Sequence, residues 1–462
     1  MARFDARRLS CPVHGTIGLS DIELQVLNTK VFQRLRNVKQ LGLAHHVFPG
    51  ADYSRFAHSL GVCHTTGRLI SALHARHPNV VSEEDIQLYR LAALLHDVGH
   101  YPFSHAMEHA IQDFYSSTLF ANGGGEPKKF YKHERVSRAV VDHCPELSKV
   151  LKDHDRKRVT AIFMREEPPP FSNLVSSDLD ADRIDYLLRT AHHTGLPYGS
   201  VDLDYIISQM RVDNGNRVCL THKAVRAADH LLLSRYFDYQ QVAFHKTVAS
   251  LERVLQDVLI LLLRSGRLSM AAADVEALIS DEKWAAFDDA AVVAHMREAL
   301  TDDATDEIDK RKIRALLERK PPKLLYSREY IGGRGDPDKG NFRLLRKLVA
   351  EKQPGWAAKW GIDHRLWYVW PMPGMFLTKI GSSVPLTSVV GAAEEDEEAF
   401  EQAILIQLPN GETKPIQLLP HSLMHALSNS AFYALRIYAF LPDDAEATLR
   451  DEMSKDIAAA LD

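Results

Sequence analysis

Histidine followed directly by aspartate occurs twice in this 462-residue chain, at His96-Asp97 and at His154-Asp155. Lys152-Asp-His-Asp-Arg-Lys157 is charged throughout, whereas Leu91-Ala-Ala-Leu-Leu95 carries His96-Asp97 to the buried end of an apolar helical pattern. A carboxylate is costly to bury there unless a cation or several donors compensate it. Gly99 lets the chain turn, and His100 and His105 follow. Neighbouring helical residues point about 100° apart, so His96 and Asp97 can share one ion only near a helix end, with distant ligands completing the set. Upstream, Arg55-Phe-Ala-His58-Ser-Leu-Gly61 places a histidine in another apolar helical pattern. Downstream, Asp178-Leu-Asp-Ala-Asp182-Arg-Ile-Asp-Tyr186 gathers four acids within eight residues. Taken singly, a lone histidine in such a helix is usually core, and acids collect at helix starts for the dipole. Together the three segments form a mixed imidazole and carboxylate set suited to Fe, Mn, Zn or Mg.

The elements that must position these side chains read as helices from about residue 20 to residue 270. Asp21 to Leu27 has an acidic start and helical apolar spacing, and Thr29 to Gln40 continues it with Val31, Phe32, Leu35 and Val38. Ser82-Glu-Glu-Asp85 opens the helix that ends at His96. Ala224 to Arg264 predicts one long helix or a helix pair, while Asn122 to Pro127 and Glu166 to Pro170 are loops by composition. After about residue 320 the character changes: Lys320-Pro-Pro322 and Gly332 to Pro337 are turn-rich. Arg365 to Trp370, Met375 to Ile380, Ala403 to Leu408 and Phe432 to Phe440 read as strands, with Asn410-Gly411 as a hairpin turn and Pro420 to Ser428 as a short helix. The acidic run Glu394 to Glu398 reads as a solvated loop. A helical body followed by a smaller α+β lobe results.

Composition excludes several classes. With 56 Lys+Arg against 61 Asp+Glu the net charge is −5, which argues against a protein that coats nucleic acid, although a local basic pocket is compatible with it. No run approaches the roughly 20 apolar residues of a membrane span. The start, MARFDARRLSCP, lacks the apolar stretch of a secretory signal. Cys11, Cys63, Cys144 and Cys219 form no CxxC pair, so a reduced, cytoplasmic setting is expected.

Several motifs recur in order. Phe32-Gln-Arg-Leu-Arg36, Lys39-Gln-Leu-Gly42, Val47-Phe-Pro-Gly50, Arg55 to Val62, Leu95-His-Asp-Val-Gly-His100, Pro102-Phe-Ser-His105 and Asp180-Ala-Asp-Arg-Ile-Asp-Tyr186 resemble the HD-domain deoxynucleoside triphosphate (dNTP) triphosphohydrolases, a family comprising the SAM-and-HD-domain enzyme and bacterial relatives. The likeness covers roughly residues 10 to 265. It implies a mainly α fold, with a helical HD phosphohydrolase core over residues 1–320 and a C-terminal α+β lobe over 321–462 for regulation or oligomerisation.

The resemblance also implies roles. His58, His96, Asp97 and Asp182 match metal ligands for Fe, Mn or Zn, with Mg or Mn on the substrate phosphates. His105 matches the general acid toward the leaving 5′ oxygen, with Glu108 three residues on as its carboxylate partner and His100 and His133 lining the same site. Arg55, Arg183, Tyr186, Arg235 and Lys246 match triphosphate-holding residues, and Gln40 and Leu41 lie against sugar and base. A triphosphate carries about four negative charges, so a net-acidic protein must concentrate such cations in one cleft. Of the family's guanine-reading activator pocket, Gln33 and Arg36 are present but the purine-reading Asp is Asn28, which cannot accept two N–H bonds as a carboxylate does. Another nucleotide activator or constitutive activity is then expected. A homo-oligomer, dimer or tetramer, is implied, serving dNTP pool control or defence against phage. The competing readings are an HD enzyme acting on monophosphates, cyclic dinucleotides or (p)ppGpp, and a nucleic-acid-binding or assembly module with a structural metal.

Overall fold

The computed structural model describes residues 7–121, 129–164, 171–175, 177, 179–333, 338–376, 403–428, 430–442 and 446–461. The loops expected at Asn122 to Pro127 and Glu166 to Pro170, the acidic run Glu394 to Glu398, Asp178, and the later parts of the Gly332 to Pro337 and Met375 to Ile380 segments lie outside these residues.

The chain opens with an antiparallel hairpin, β1 (Arg7–Cys11) and β2 (Gly15–Leu19), followed by α1 (Asp21–Leu27). The helix expected from Thr29 to Gln40 stops early: Lys30–Gln33 is α-helical, Arg34–Asn37 tightens to a 3₁₀ turn, and Val38 is extended. Extension there lets Val38 O accept from Arg55 N at 2.9 Å, which fixes the start of the next helix. That helix, α2 (Arg55–Arg76), packs against α3 (Glu83–Leu95) and later against α6 (Ala181–Thr194), with α4 (His105–Ala121) and α5 (His133–His143) between. Ser82 and Asp85 close a capping box at the start of α3, satisfying orphan amides beside three acids that suit the helix dipole. At the start of α6, Asp180 accepts from Arg183 N at 2.6 Å, and Gly195 ends the helix at φ +73°, a left-handed conformation cheap only for glycine.

Between these helices and the C-terminal part runs a four-stranded sheet, β3 (Met210–Val212), β4 (Val218–Thr221), β7 (Leu405–Gln407) and β8 (Thr413–Pro415) in that order. The strands β3 and β4 interrupt the region read as helical. Segments of three or four residues carry no period long enough to separate strand from helix. Ala224 to Arg264 is a helix pair, α7 (Val225–Asp238) and α8 (Lys246–Arg264), joined by a π-helical turn over Tyr239–Ala243. A second sheet places β9 (Ser430–Ala439) between β5 (Lys323–Gly333) and β6 (Trp367–Phe376), both antiparallel to it. The Asn410-Gly411 turn joins β7 to β8 as expected, and Leu423–Leu427 is the short helix. One continuous apolar core extends from Ile17 to Leu461, so the chain on either side of residue 320 shares both a sheet and a core. Among the described residues no helix is long and apolar enough to cross a membrane.

Candidate active site

His58 stands one turn into α2, completely buried, between two carboxylates of α6. Its Nδ1 donates to Asp185 Oδ2 at 2.7 Å and its Nε2 to Asp182 Oδ1 at 2.9 Å, with Asp97 Oδ2 at 3.8 Å. Burial alone would lower this imidazole, but the bonds to Asp182 and Asp185 hold its pKa at about 9. Gly61 permits the arrangement: a Cβ there would overlap the Asp185 carboxylate and the Arg189 guanidinium. His96 caps the C-terminus of α3, where Leu91 to Leu95 are buried and the chain turns at Gly99. A Cβ on Gly99 would strike the backbone of Val136 and Ser137, so the turn lies directly on α5. Ser137 fixes it, accepting from Gly99 N at 2.9 Å and donating to His96 O at 2.6 Å.

His96 Nδ1 donates to Ala93 O at 2.8 Å. Its Nε2 is buried without a hydrogen-bond partner, 3.3 Å from Asp97 Oδ1 and 4.0 Å from Asp182 Oδ1. Donor atoms of His58, His96 and Asp182 all lie within 4.8 Å of one another. A buried orphan imidazole nitrogen facing two converging carboxylates is what a cation relieves, and two nitrogen donors beside carboxylate oxygens fit Fe, Mn or Zn.

Beside this cluster, Arg55 pairs with Asp97 and donates from Nε to Ser104 Oγ at 2.9 Å. Burial would raise the Asp97 carboxyl, but Arg55, His96 and His100 together hold it well below its ordinary range. His100 Nε2 lies 3.2 Å from Asp97 Oδ1, and its ring stacks on His133 at 3.9 Å between centroids, with His105 5.3 Å from His133. Glu108 departs from expectation here. Its Oε2 accepts from His133 Nδ1 at 2.6 Å and His133 N at 3.4 Å rather than hydrogen-bonding His105, because two donors of His133 converge on it. Burial opposes the charge on each partner, yet their pairing brings Glu108 down to about 2 and raises His133. Burial, then His133 and Arg55, lower His105 to about 4.

A cavity of about 410 Å³ joins these groups. His96, Asp97, His100, His105, His133, Asp182, Arg183 and Tyr186 border it, with Arg55, Gln40 and Leu41. Three buried polar atoms of residues lining it, Gln40 Oε1, His96 Nε2 and His100 Nδ1, have no hydrogen-bond partner, a pattern that a polar ligand would satisfy. Other expected residues are not brought to it. Arg235 is buried beside Asp238, and Lys246 is the exposed first residue of α8. Asn28, Gln33 and Arg36 sit elsewhere on the fold: Gln33 Nε2 donates to Leu27 O at 2.7 Å and Arg36 Nε to Gln33 Oε1 at 2.7 Å.

Sequence reasoning missed the layer behind the cluster. Asp185 is fully buried and also receives His14 Nε2 at 2.6 Å and Arg189 Nη2 at 2.8 Å, so the hairpin turn between β1 and β2 and the next turn of α6 both brace the group that orients His58. The spacing Asp182, Asp185, Arg189 along one helix face was a signal for it. His14, thirteen residues into the chain and outside every helical pattern, gave none.

Comparison with known proteins adds two matches over the chain. Residues 55–190 match the HD domain and residues 201–321 the HD associated region. An uncharacterised protein of Methanocaldococcus jannaschii is 31% identical over 255 residues, 54% of this chain and 48% of that protein. The mouse deoxynucleoside triphosphate triphosphohydrolase SAMHD1 is 32% identical over 215 residues, 40% of this chain and 31% of that enzyme. The match therefore spans about half or less of these relatives. A crystal structure of a hypothetical protein from Aquifex aeolicus superposes with a TM-score of 0.69 at 25% identity, covering 99% of this chain and 100% of that one.

Proposed function

The chain belongs to the HD-domain phosphohydrolase family, and from that premise we propose that it hydrolyses deoxynucleoside triphosphates to deoxynucleoside and inorganic triphosphate. The observation that carries the reading is the cavity bordered together by His96, Asp97 and Asp182, the cations Arg55 and Arg183, and His105 and His133, with Glu108 held against His133. His58, His96, Asp97 and Asp182 would hold the divalent ion. When bound, such an ion supplies Lewis acidity toward a phosphoryl oxygen and lowers the pKa of a coordinated water.

The chain's own residues do the rest. Arg183 and Arg55 face the triphosphate and offset its charge, with Arg55 also keeping Asp97 ionised. Water attacks the α-phosphorus, the bond from phosphorus to O5′ breaks, and O5′ takes a proton as it leaves. His105 is the donor in this reading. The incoming polyanion raises its pKa from the low value of the free protein, and His133, whose pKa is raised by its hydrogen bond to Glu108, stands beside it as the next proton source. Gln40 and Leu41 meet the nucleoside end.

The test is direct. Protein loaded with Mn or Fe and incubated with each dNTP should release inorganic triphosphate, whereas release of pyrophosphate or orthophosphate alone would overturn the proposal. A parallel panel of nucleoside monophosphates, cyclic dinucleotides and (p)ppGpp separates the other HD chemistries.

A further inference from the structure

The cavity is bordered by a carboxyl group that the reaction does not use. Glu252, on α8, borders the cavity one helical turn beyond Val248, and Val248 packs with Ala44 and Val242 in a small apolar cluster against Leu41. Phe163 and Val175 line the same space. Among the described residues no hydrogen bond or ion pair reaches the Glu252 carboxyl. Burial alone pushes its pKa up to about 7, with no contribution from any charged group. By contrast Asp238, another acid bordering the cavity, accepts from Tyr198 Oη at 2.5 Å.

Two consequences follow. Arg55 acts on Asp97, His100 and His105, whereas no cation among the described residues offsets the charge of Glu252. A lone carboxylate would also repel a polyanion, so the part of the ligand reaching it must present N–H or O–H donors. Apolar side chains around it suit the faces of a flat ring.

We propose that Glu252 reads the base of the bound nucleotide and favours guanine. Guanine offers adjacent donors at N1 and N2, matching both oxygens of a carboxylate. Adenine and cytosine set a ring acceptor beside their amino group, and thymine flanks its single N–H with carbonyls. This inference rests on the triphosphohydrolase reading for its substrate class but not for its binding geometry.

Two measurements on the full-length protein separate them. Steady-state kinetics with dGTP, dITP and dTTP should give a kcat/KM for dGTP at least about tenfold above that for dITP, which lacks the N2 amino group. Glu252→Gln should collapse the ratio of dGTP to dTTP by a similar factor. Equilibrium binding of deoxyguanosine against deoxyinosine to the wild-type protein reads the same preference without catalysis and without a variant that must fold. Equal binding of the two nucleosides, or an unchanged dGTP to dTTP ratio in an active Glu252→Gln protein, overturns the assignment. A clear deoxyguanosine preference with no triphosphate released from any dNTP supports Glu252 as the base reader and overturns the reaction instead.

Discussion

Asp185 Oδ2 accepts the Nδ1 proton of His58 at 2.7 Å, and this one bond decides which imidazole nitrogen faces the metal cluster. With Nδ1 committed, Nε2 is aimed at Asp182 Oδ1, 2.9 Å away. Partners behind a ligand of this kind commonly tune metal affinity about 10–100-fold. Asp185→Asn should accordingly lower affinity for Mn or Fe by that factor, read by chelator competition on folded protein. Unaltered affinity in the variant would show that His58 orients without Asp185.

Gly61 gives a second prediction from the same neighbourhood. Any side chain at this α2 position meets Asp185 and Arg189, both fully buried and unable to withdraw into solvent. Gly61→Ala should therefore destabilise the protein by about 1–3 kcal/mol despite the better helix propensity of alanine. A thermal melt at or above the wild-type midpoint would contradict this.

How much of the site was legible in the chain depends on where each residue's partners lie. His96-Asp97 stood out because five apolar residues drive it inward, and the structure does bring His58 and Asp182 to it. The partner of Glu108 could not be read from its spacing to His105: the competing donor, His133, is twenty-five residues away and arrives on α5. Arg235 and Lys246 were assigned from the family resemblance alone, and in the fold Arg235 is buried within α7 while Lys246 is exposed at the start of α8. The strands β3 and β4 were hidden for a related reason. Each is stabilised by pairing, and β4 by β7 from nearly two hundred residues later.

The two arginines at the cavity should behave differently. Arg183 keeps 22% of its side chain exposed and borders the cavity, while the Arg55 side chain, 3% exposed, is tied to Asp97 and Ser104. Arg183→Ala should raise KM for the triphosphate about 10–100-fold with a smaller change in kcat, as expected for loss of one charge-assisted contact. Arg55→Ala should also lower kcat and thermal stability, because it leaves the buried Asp97 without its cation, at a cost of about 3–5 kcal/mol. Equal kinetic and stability effects in the two variants would contradict this division.

The pH profile follows from Glu108. Its carboxylate raises His133 through a 2.6 Å hydrogen bond and acts in the same direction on His105. A general acid must be protonated, so activity falls as pH rises through its pKa. Glu108→Gln removes the negative charge that favours the protonated rings, and both pKa values move down. The basic limb of kcat/KM should therefore shift to lower pH, with activity at alkaline pH lost first and the metal content of the protein unchanged. Measuring kcat/KM from pH 5 to 9 for both proteins, with metal analysed alongside, checks the sign. A basic limb that stays in place, or moves upward, would mean that the proton for O5′ comes from a group Glu108 does not influence.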